Sequence, residues 1–150
     1  MRVCFDANVI VAGILTDHQM HSVCRPWLNW AKNLEFQGSL SVYSLAEVYS
    51  VITRLPKPYR VLAKVAQRLM VDNLASFERV ELTGADYDEV LADVVRLGIT
   101  SGGIFDALIA RAAIIVRADL LLTFNAKDFV RLGESIAALI QMQEFLDRYD

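Results

Sequence analysis

The feature that most constrains the fold of this chain is the alternation of short apolar runs with longer segments of helical periodicity. Strands are predicted where the apolar runs are short, at residues 2–5, 40–43, 77–82, 119–123 and 136–140. Helices are predicted where apolar residues recur every three to four positions, at residues 22–34, 45–55, 59–75, 84–97, 104–116 and 126–132. Strands that alternate with helices predict an α/β fold with a mainly parallel sheet. The 150 residues suit a single domain over 1–150.

Composition narrows the class of protein. Apolar residues make up 55% of the chain, which exceeds the usual share and indicates a further buried surface, most simply a homodimer or a partner interface. A membrane span is not expected, because charged residues interrupt the richest apolar stretch, 104–124. Asp6 lies where a signal peptide would need an apolar core, and Cys4 and Cys24 alone make no disulfide framework. These observations predict a cytoplasmic protein.

The net charge of −3 and pI of about 5.4 argue against binding nucleic acid through overall charge. They do not exclude a nuclease, because a bound metal ion brings its own positive charge to a phosphate.

Four acidic residues lie where predicted elements begin or end: Asp6, Glu47, Asp106 and Asp128. Asp6 ends one apolar strand, and Asp128 follows shortly after another. Ligands of parallel sheets bind beyond the carboxyl ends of the strands, so these acids are expected at one edge of the sheet. Clustered carboxylates repel each other unless a cation lies between them. The pattern therefore predicts a divalent-metal site.

Helix capping is the alternative explanation for three of these acids. Ser44 and Glu47 have the spacing of a capping box, and Asn125 with Asp128 forms a looser version of it. Asp106 lies in the first turn of a predicted helix, where the helix dipole favours a carboxylate.

Asp6 is harder to explain by capping, because a carboxylate that ends an apolar strand is costly to bury unless it is paired. Its partner is either a base, with Arg2 and Arg111 as candidates, or a metal ion. Asn8 either orients Asp6 through a hydrogen bond or turns the chain. Thr123 is a candidate to bind a ligand carboxylate or a water, but an ordinary β-branched strand residue is the preferred interpretation.

Four segments that contain these acids resemble PIN-domain ribonucleases, and most of all the small bacterial and archaeal VapC toxins of type II toxin–antitoxin pairs. Their order and spacing match the family over nearly the whole chain. The segments are FDANVI at 5–10, SLAEV at 44–48, FDALIA at 105–110 and LTFNAKDF at 122–129.

The resemblance implies a three-layer α/β/α sandwich around a parallel sheet, with an acidic quartet that binds Mg²⁺ or Mn²⁺ and cuts RNA. The quartet carries over to Asp6, Glu47, Asp106 and the turn from Asn125 to Asp128. The family often has Asp where Asn125 stands, so either Asn125 or Asp128 fills the fourth position.

With Mg²⁺ keeping several of its waters, we expect Asp6 and Asp106 to be the direct metal ligands. Glu47 and Asp128 would then act through water or at a second metal site that the substrate completes. The ion would activate a water for in-line attack on a phosphodiester.

The function predicted first is a metal-dependent endoribonuclease that is the toxin of a type II pair. Its expected partners are an RNA substrate, a cognate antitoxin protein and a second copy of the chain. Two alternatives keep the fold: a PIN-domain nuclease of RNA processing that is not a toxin, and a catalytically silent module that binds RNA or protein. A phosphatase is weaker, because Asn8 stands where its Asp-x-Asp motif would need a second aspartate.

Overall fold

The structure is a computed structural model and describes residues 1–140. The amphipathic tail expected at 142–149 lies outside the described residues. Strands and helices alternate along the described chain in the following order: β1 (Arg2–Phe5), α1 (Ala7–Ile14), α2 (His21–Lys32), β2 (Gln37–Ser41), α3 (Val42–Arg54), α4 (Ala63–Leu74), β3 (Glu78–Val80), α5 (Gly84–Arg96), α6 (Gly103–Ile115), β4 (Leu120–Leu122), α7 (Ala126–Val130) and α8 (Glu134–Ala137).

The four described strands form one parallel sheet in the order β3-β2-β1-β4. β1 lies in its interior, where Val3 pairs with Gly38 of β2 on one side and with Leu120 of β4 on the other. Because all strands run the same way, their carboxyl ends meet at a single edge. The predicted α/β fold with a parallel central sheet is confirmed.

Helices cover both faces of this sheet. Side chains of a strand alternate between its two faces, so Val3 and Phe5 join one apolar cluster while Cys4 joins another. The cluster around Val3 and Phe5 contains buried residues of α1, α2, α3 and α4, and the cluster around Cys4 contains those of α6, α7 and α8. α5 packs on α6 through a third cluster. The predicted three-layer sandwich is therefore present.

Several predicted bounds were wrong. The run at 136–140 is not a strand: α8 ends at Ala137, and Ile136 is buried against α6, since a short apolar run suits a helix as well as a strand. The helix predicted from 59 begins at Ala63, because Leu62 before it has an extended backbone. The helix predicted from 45 begins at Val42, directly after β2.

Thr83 and Asp86 form a reciprocal capping box at the first turn of α5. No helix within residues 1–140 combines the length and the apolar character that a membrane crossing needs.

Candidate active site

Asp6 lies at the carboxyl edge of the sheet, between β1 and α1. Its backbone N–H donates to the carbonyl of Leu122 in the neighbouring strand β4, at 2.9 Å. The residue is only 4% exposed, and its side chain makes no capping bond to α1. Asp6 is thus a buried carboxyl held at the edge where β1 and β4 end.

Thr123 is the hydrogen-bond donor to this carboxyl. Its hydroxyl lies 2.6 Å from Oδ2 of Asp6, and the side chain is fully buried directly after β4. The same hydroxyl oxygen accepts the backbone N–H of Asn125 at 3.0 Å. The preferred interpretation of Thr123 as an ordinary strand residue was therefore wrong.

Burial raises the pKa of Asp6 from 3.8 to about 7. The hydrogen bond from Thr123 opposes this rise, and the neighbouring carboxyls of Asp106 and Glu47 add to it. Asp6, Glu47 and Asp106 come from three distant segments, and the fold brings them close enough to disfavour one another's charge.

The basic partners expected for Asp6 are engaged elsewhere. The guanidinium of Arg2 donates to the carbonyl of Val116 at 3.0 Å. The guanidinium of Arg111 pairs with Asp86 at 2.9 Å. The hypothesis that either arginine neutralises Asp6 was therefore wrong, because each lies in an ion pair or hydrogen bond of another part of the fold.

Glu47 lies on α3 and faces the same edge of the sheet. Burial raises its pKa first, the carboxyl of Asp106 raises it further, and Arg54 lowers it. One of its oxygens, Oε2, is buried and has no hydrogen-bond partner among the described residues. An unpartnered buried carboxylate oxygen is costly, so this atom is available to a water or a cation.

Capping does not explain the position of Glu47. The helix begins at Val42, so its cap position is Ser41, and Ser44 lies inside the first turn. The side chain of Ser41 makes no capping bond, and the hydroxyl of Ser44 is buried without a hydrogen-bond partner in the described residues. The capping box predicted for Ser44 and Glu47 was therefore wrong.

Asp106 lies in the first turn of α6, as predicted. Burial raises its pKa, the carboxyl of Asp128 adds to the rise, and the guanidinium of Arg131 opposes it. Asp128 on α7 thus lies near Asp106, and Asp106 in turn lies near Glu47.

Arg131 is the basic residue near Asp106, and the sequence motifs did not predict it. Its Nε donates to the carbonyl of Asp128 at 3.1 Å. Its guanidinium lies over Gly103, where an added Cβ atom would come within 2.7 Å of Nη2. Two features of the sequence could have indicated this contact: Arg131 follows Asp128 by three residues, and Gly103 is the first residue of α6.

Two amides flank the acidic group. Asn125 precedes α7, is exposed, and makes no capping bond with its side chain, so the looser capping motif predicted for Asn125 and Asp128 is not formed by that side chain. Asn8 lies on α1, and its Oδ1 is buried with no hydrogen-bond partner in the part of the chain that the structure describes.

The donor set fits a hydrated divalent cation. Carboxylate, amide and hydroxyl oxygens are the ligands that Mg²⁺ and Mn²⁺ prefer. Glu47 Oε2 and Asn8 Oδ1 are buried oxygens without a hydrogen-bond partner among residues 1–140. Within residues 1–140, no group of three His, Cys, Asp or Glu side chains is arranged to hold an ion by itself. Mg²⁺ retains several waters and needs only one or two carboxylates, so this arrangement fits it.

Comparisons with known proteins show which family the chain resembles. The family model of the PIN domain matches residues 3–135. Ribonuclease VapC27 of Mycobacterium tuberculosis (strain ATCC 25618 / H37Rv) is 31% identical over 115 residues, which are 77% of this chain and 79% of that protein. Ribonuclease VapC40 of M. tuberculosis (strain CDC 1551 / Oshkosh) is 31% identical over 116 residues, 77% of this chain and 81% of that protein.

The fold is also similar to a solved structure. The crystal structure of VapBC2 from Rickettsia felis bound to a DNA fragment from their promoter contains a chain that superposes with a TM-score of 0.64 at 24% identity. The match covers 93% of this chain and 96% of that one.

Proposed function

Because this chain belongs to the PIN-domain family, and within it to the VapC-like proteins, we propose that it is a metal-dependent endoribonuclease and the toxin of a toxin–antitoxin pair. One observation carries the proposal. The carboxyls of Asp6, Glu47 and Asp106 lie near one another, and burial raises the pKa of all three; Asp106 and Glu47 raise that of Asp6 further, and Asp106 raises that of Glu47. A cluster that repels itself in this way is stabilised by a divalent cation.

The named relatives support the chemistry. VapC27 and VapC40 are both ribonucleases by name. The cation would be Mg²⁺ or Mn²⁺, with Asp6 and Asp106 as its direct ligands. When bound, such an ion activates a water for in-line attack on a phosphodiester and stabilises the charge that develops on the phosphate.

The chain's own residues prepare this site. Thr123 fixes one oxygen of Asp6 through its hydrogen bond and so orients the carboxyl. Glu47 offers its unpartnered Oε2 to a water or to a second ion.

We assign the fourth acidic position to Asp128, because its carboxyl is near Asp106. The exposed Asn125 contributes its backbone N–H to Thr123, and Asn8 presents a buried oxygen that suits a bound water.

Arg131 supplies positive charge at this acidic edge. The residue is exposed, and its guanidinium lies near Asp106 and over Gly103. A planar guanidinium binds phosphate oxygens through two parallel hydrogen bonds. We propose that Arg131 contacts a phosphate of the RNA while the carboxyls hold the ion.

The proposed partner is a cognate antitoxin. The solved relative is VapBC2 bound to DNA from their promoter, which supports a partner for this chain as well. An arginine of such a partner would suit the acidic group, because its fork can bridge two carboxylates and displace the ion or its waters. We further propose that the protein is a homodimer and that it acts in the cytoplasm, where RNA is available.

Expression of the chain alone in its host tests the proposed toxin role. We expect growth to slow and RNA to be degraded, and co-expression of the protein encoded by the neighbouring gene to restore growth. A host that expresses Asp6→Asn should grow normally without the protein encoded by the neighbouring gene. The matched control is Asp72→Asn, which removes an exposed carboxyl on α4 and should remain toxic. Harmless expression of the wild type, with intact RNA, would contradict the proposal and favour a processing enzyme or a silent module.

A further inference from the structure

Two aromatic rings are stacked beside the acidic group. The rings of Tyr43 on α3 and Phe105 on α6 have centroids 5.2 Å apart and an interplanar angle of only 2°. Tyr43 lies four residues before Glu47 on one helix face, and Phe105 immediately precedes Asp106. The pair therefore spans the two helices that carry two of the carboxyls.

The packing of the protein explains only part of this arrangement. Phe105 is 43% exposed, whereas Ala107, Leu108 and Ile109, which follow on the same helix, are buried. One face of its ring is covered by Tyr43, and much of the rest is open to solvent. A large apolar ring kept in water beside a polar site is a candidate contact for a ligand.

A groove lies beside Tyr43. A cavity of about 440 Å³ is lined by Tyr43, Ala46, Leu82 and Tyr87, with the carboxyl-bearing Glu81 among them. This volume is in the range of small-ligand sites. The described residues that line it include no lysine or arginine. The groove suits a planar, uncharged group better than a phosphate.

The overall charge of the chain also favours a contact through stacking over one through charge. An acidic chain, with a net charge of −3, gains little affinity for RNA from long-range electrostatics. Stacking of bases on aromatic side chains gives affinity without positive charge, and it does so for every base because each has a π-face.

We propose that Tyr43 and Phe105 form a platform on which one base of a single-stranded RNA stacks, next to the phosphodiester at the carboxyl cluster. The inference rests on the proposed function and adds a substrate contact to it. The platform provides affinity and places the strand; it does not by itself select a sequence.

Binding of a single-stranded RNA oligonucleotide that carries 2-aminopurine tests this platform. The titration is done in EDTA, so that binding is measured without cleavage. We expect the fluorophore to be quenched on the wild type. Phe105→Leu should weaken binding by about tenfold or more, as expected for loss of one stacked base. Phe105→Tyr and Phe105→Trp should restore affinity and quenching.

Cleavage kinetics with Mn²⁺ separate stacking from chemistry. Phe105→Leu should raise KM by a larger factor than it lowers kcat, because it leaves the carboxyls in place. Tyr43→Leu gives a second variant on another helix. The control is Tyr59→Leu, which removes a 57% exposed aromatic ring before α4 and should bind RNA as the wild type does. Melting temperatures show whether each variant is folded.

Two results would overturn the platform alone while leaving the nuclease intact. One is unchanged affinity and quenching for folded Phe105→Leu and Tyr43→Leu. The other is weaker binding that Phe105→Trp does not restore, which indicates a structural role. A wild type that neither binds nor cleaves RNA with any metal removes both the platform and the proposed function.

Discussion

The hydroxyl of Thr123 donates a 2.6 Å hydrogen bond to Oδ2 of Asp6, across 117 positions of sequence. The bond joins the ends of β1 and β4, two strands in register through Phe5 and Leu122. It favours the charged carboxylate, and so it opposes the rise in the pKa of Asp6 that burial causes. Thr123 is therefore a positioning residue for the most buried carboxyl of the site.

Replacing Thr123 tests this role. Thr123→Val keeps the shape of the side chain but removes the donor, so the pKa of Asp6 should rise further and metal affinity near pH 7 should fall by about tenfold or more. Thr123→Ser keeps the hydroxyl and should bind Mn²⁺ as the wild type does. Calorimetric titration with Mn²⁺ measures the metal affinity of both variants. Equal affinities for the valine and serine variants would rule out the positioning role.

The free energy of unfolding should depend on pH through Asp6. Because the pKa is raised from 3.8 to about 7, the folded protein keeps a proton that the unfolded chain has already released over this interval. Without metal, stability should therefore fall as pH rises from about 4 to about 7, by on the order of 1.4 kcal/mol per pKa unit.

Urea unfolding in EDTA across this pH range measures the free energy of unfolding of the wild type and of Asp6→Asn. Asp6→Asn should flatten most of the decline, and the remainder reflects the raised pKa values of Glu47 and Asp106. The same slope in the wild type and in Asp6→Asn would show that Asp6 titrates normally in the folded protein.

Divalent metal should stabilise the folded protein. Mg²⁺ or Mn²⁺ at millimolar concentration relieves repulsion among the carboxyls and binds the folded state selectively, so the melting temperature should rise. Asp106→Asn should weaken this rise while preserving the fold, and the surface variant Asp72→Asn should keep it. A melting temperature that does not respond to millimolar Mn²⁺ would count against the metal site.

Self-association is expected from the apolar surface. Val95 and Leu62 are 78% and 71% exposed, and apolar residues make up 55% of the chain. Sedimentation at micromolar concentration should give a homodimer, because burying such side chains is favourable. A monomer under these conditions would leave the apolar surface to a different partner.

The order of the apolar runs and motifs predicted the central strands and the residues at the carboxyl edge of the sheet. The apolar runs predicted β1 and β4, and the parallel sheet then placed Asp6 and the turn after β4 at one edge. The prediction that Glu47 and Asp106 also lie at that edge rested on their places at the starts of predicted helices and on the order of the motifs. Local pattern fixes which residues lie at the end of an element, whereas distances between elements depend on packing.

The contacts that the sequence did not reveal are those between distant segments. A strand was predicted at residues 40–43, but β2 ends at Ser41 and α3 begins at Val42. Tyr43 therefore lies on a helix, where its ring stacks on that of Phe105. Arg131 belongs to no motif, and its approach to Asp106 depends on the open space over Gly103. Such pairs require the folded arrangement of α3, α6 and α7.

Cleavage of total RNA by the purified protein tests the central claim most directly, by comparing Mn²⁺, Mg²⁺ and EDTA for the wild type, Asp6→Asn and Asp72→Asn. We predict that the wild type and Asp72→Asn cleave RNA when metal is present and stop in EDTA, and that Asp6→Asn is inactive in all three conditions although it is folded. Equal cleavage by Asp6→Asn, or cleavage that persists in EDTA, would contradict the account of a metal-dependent carboxylate site.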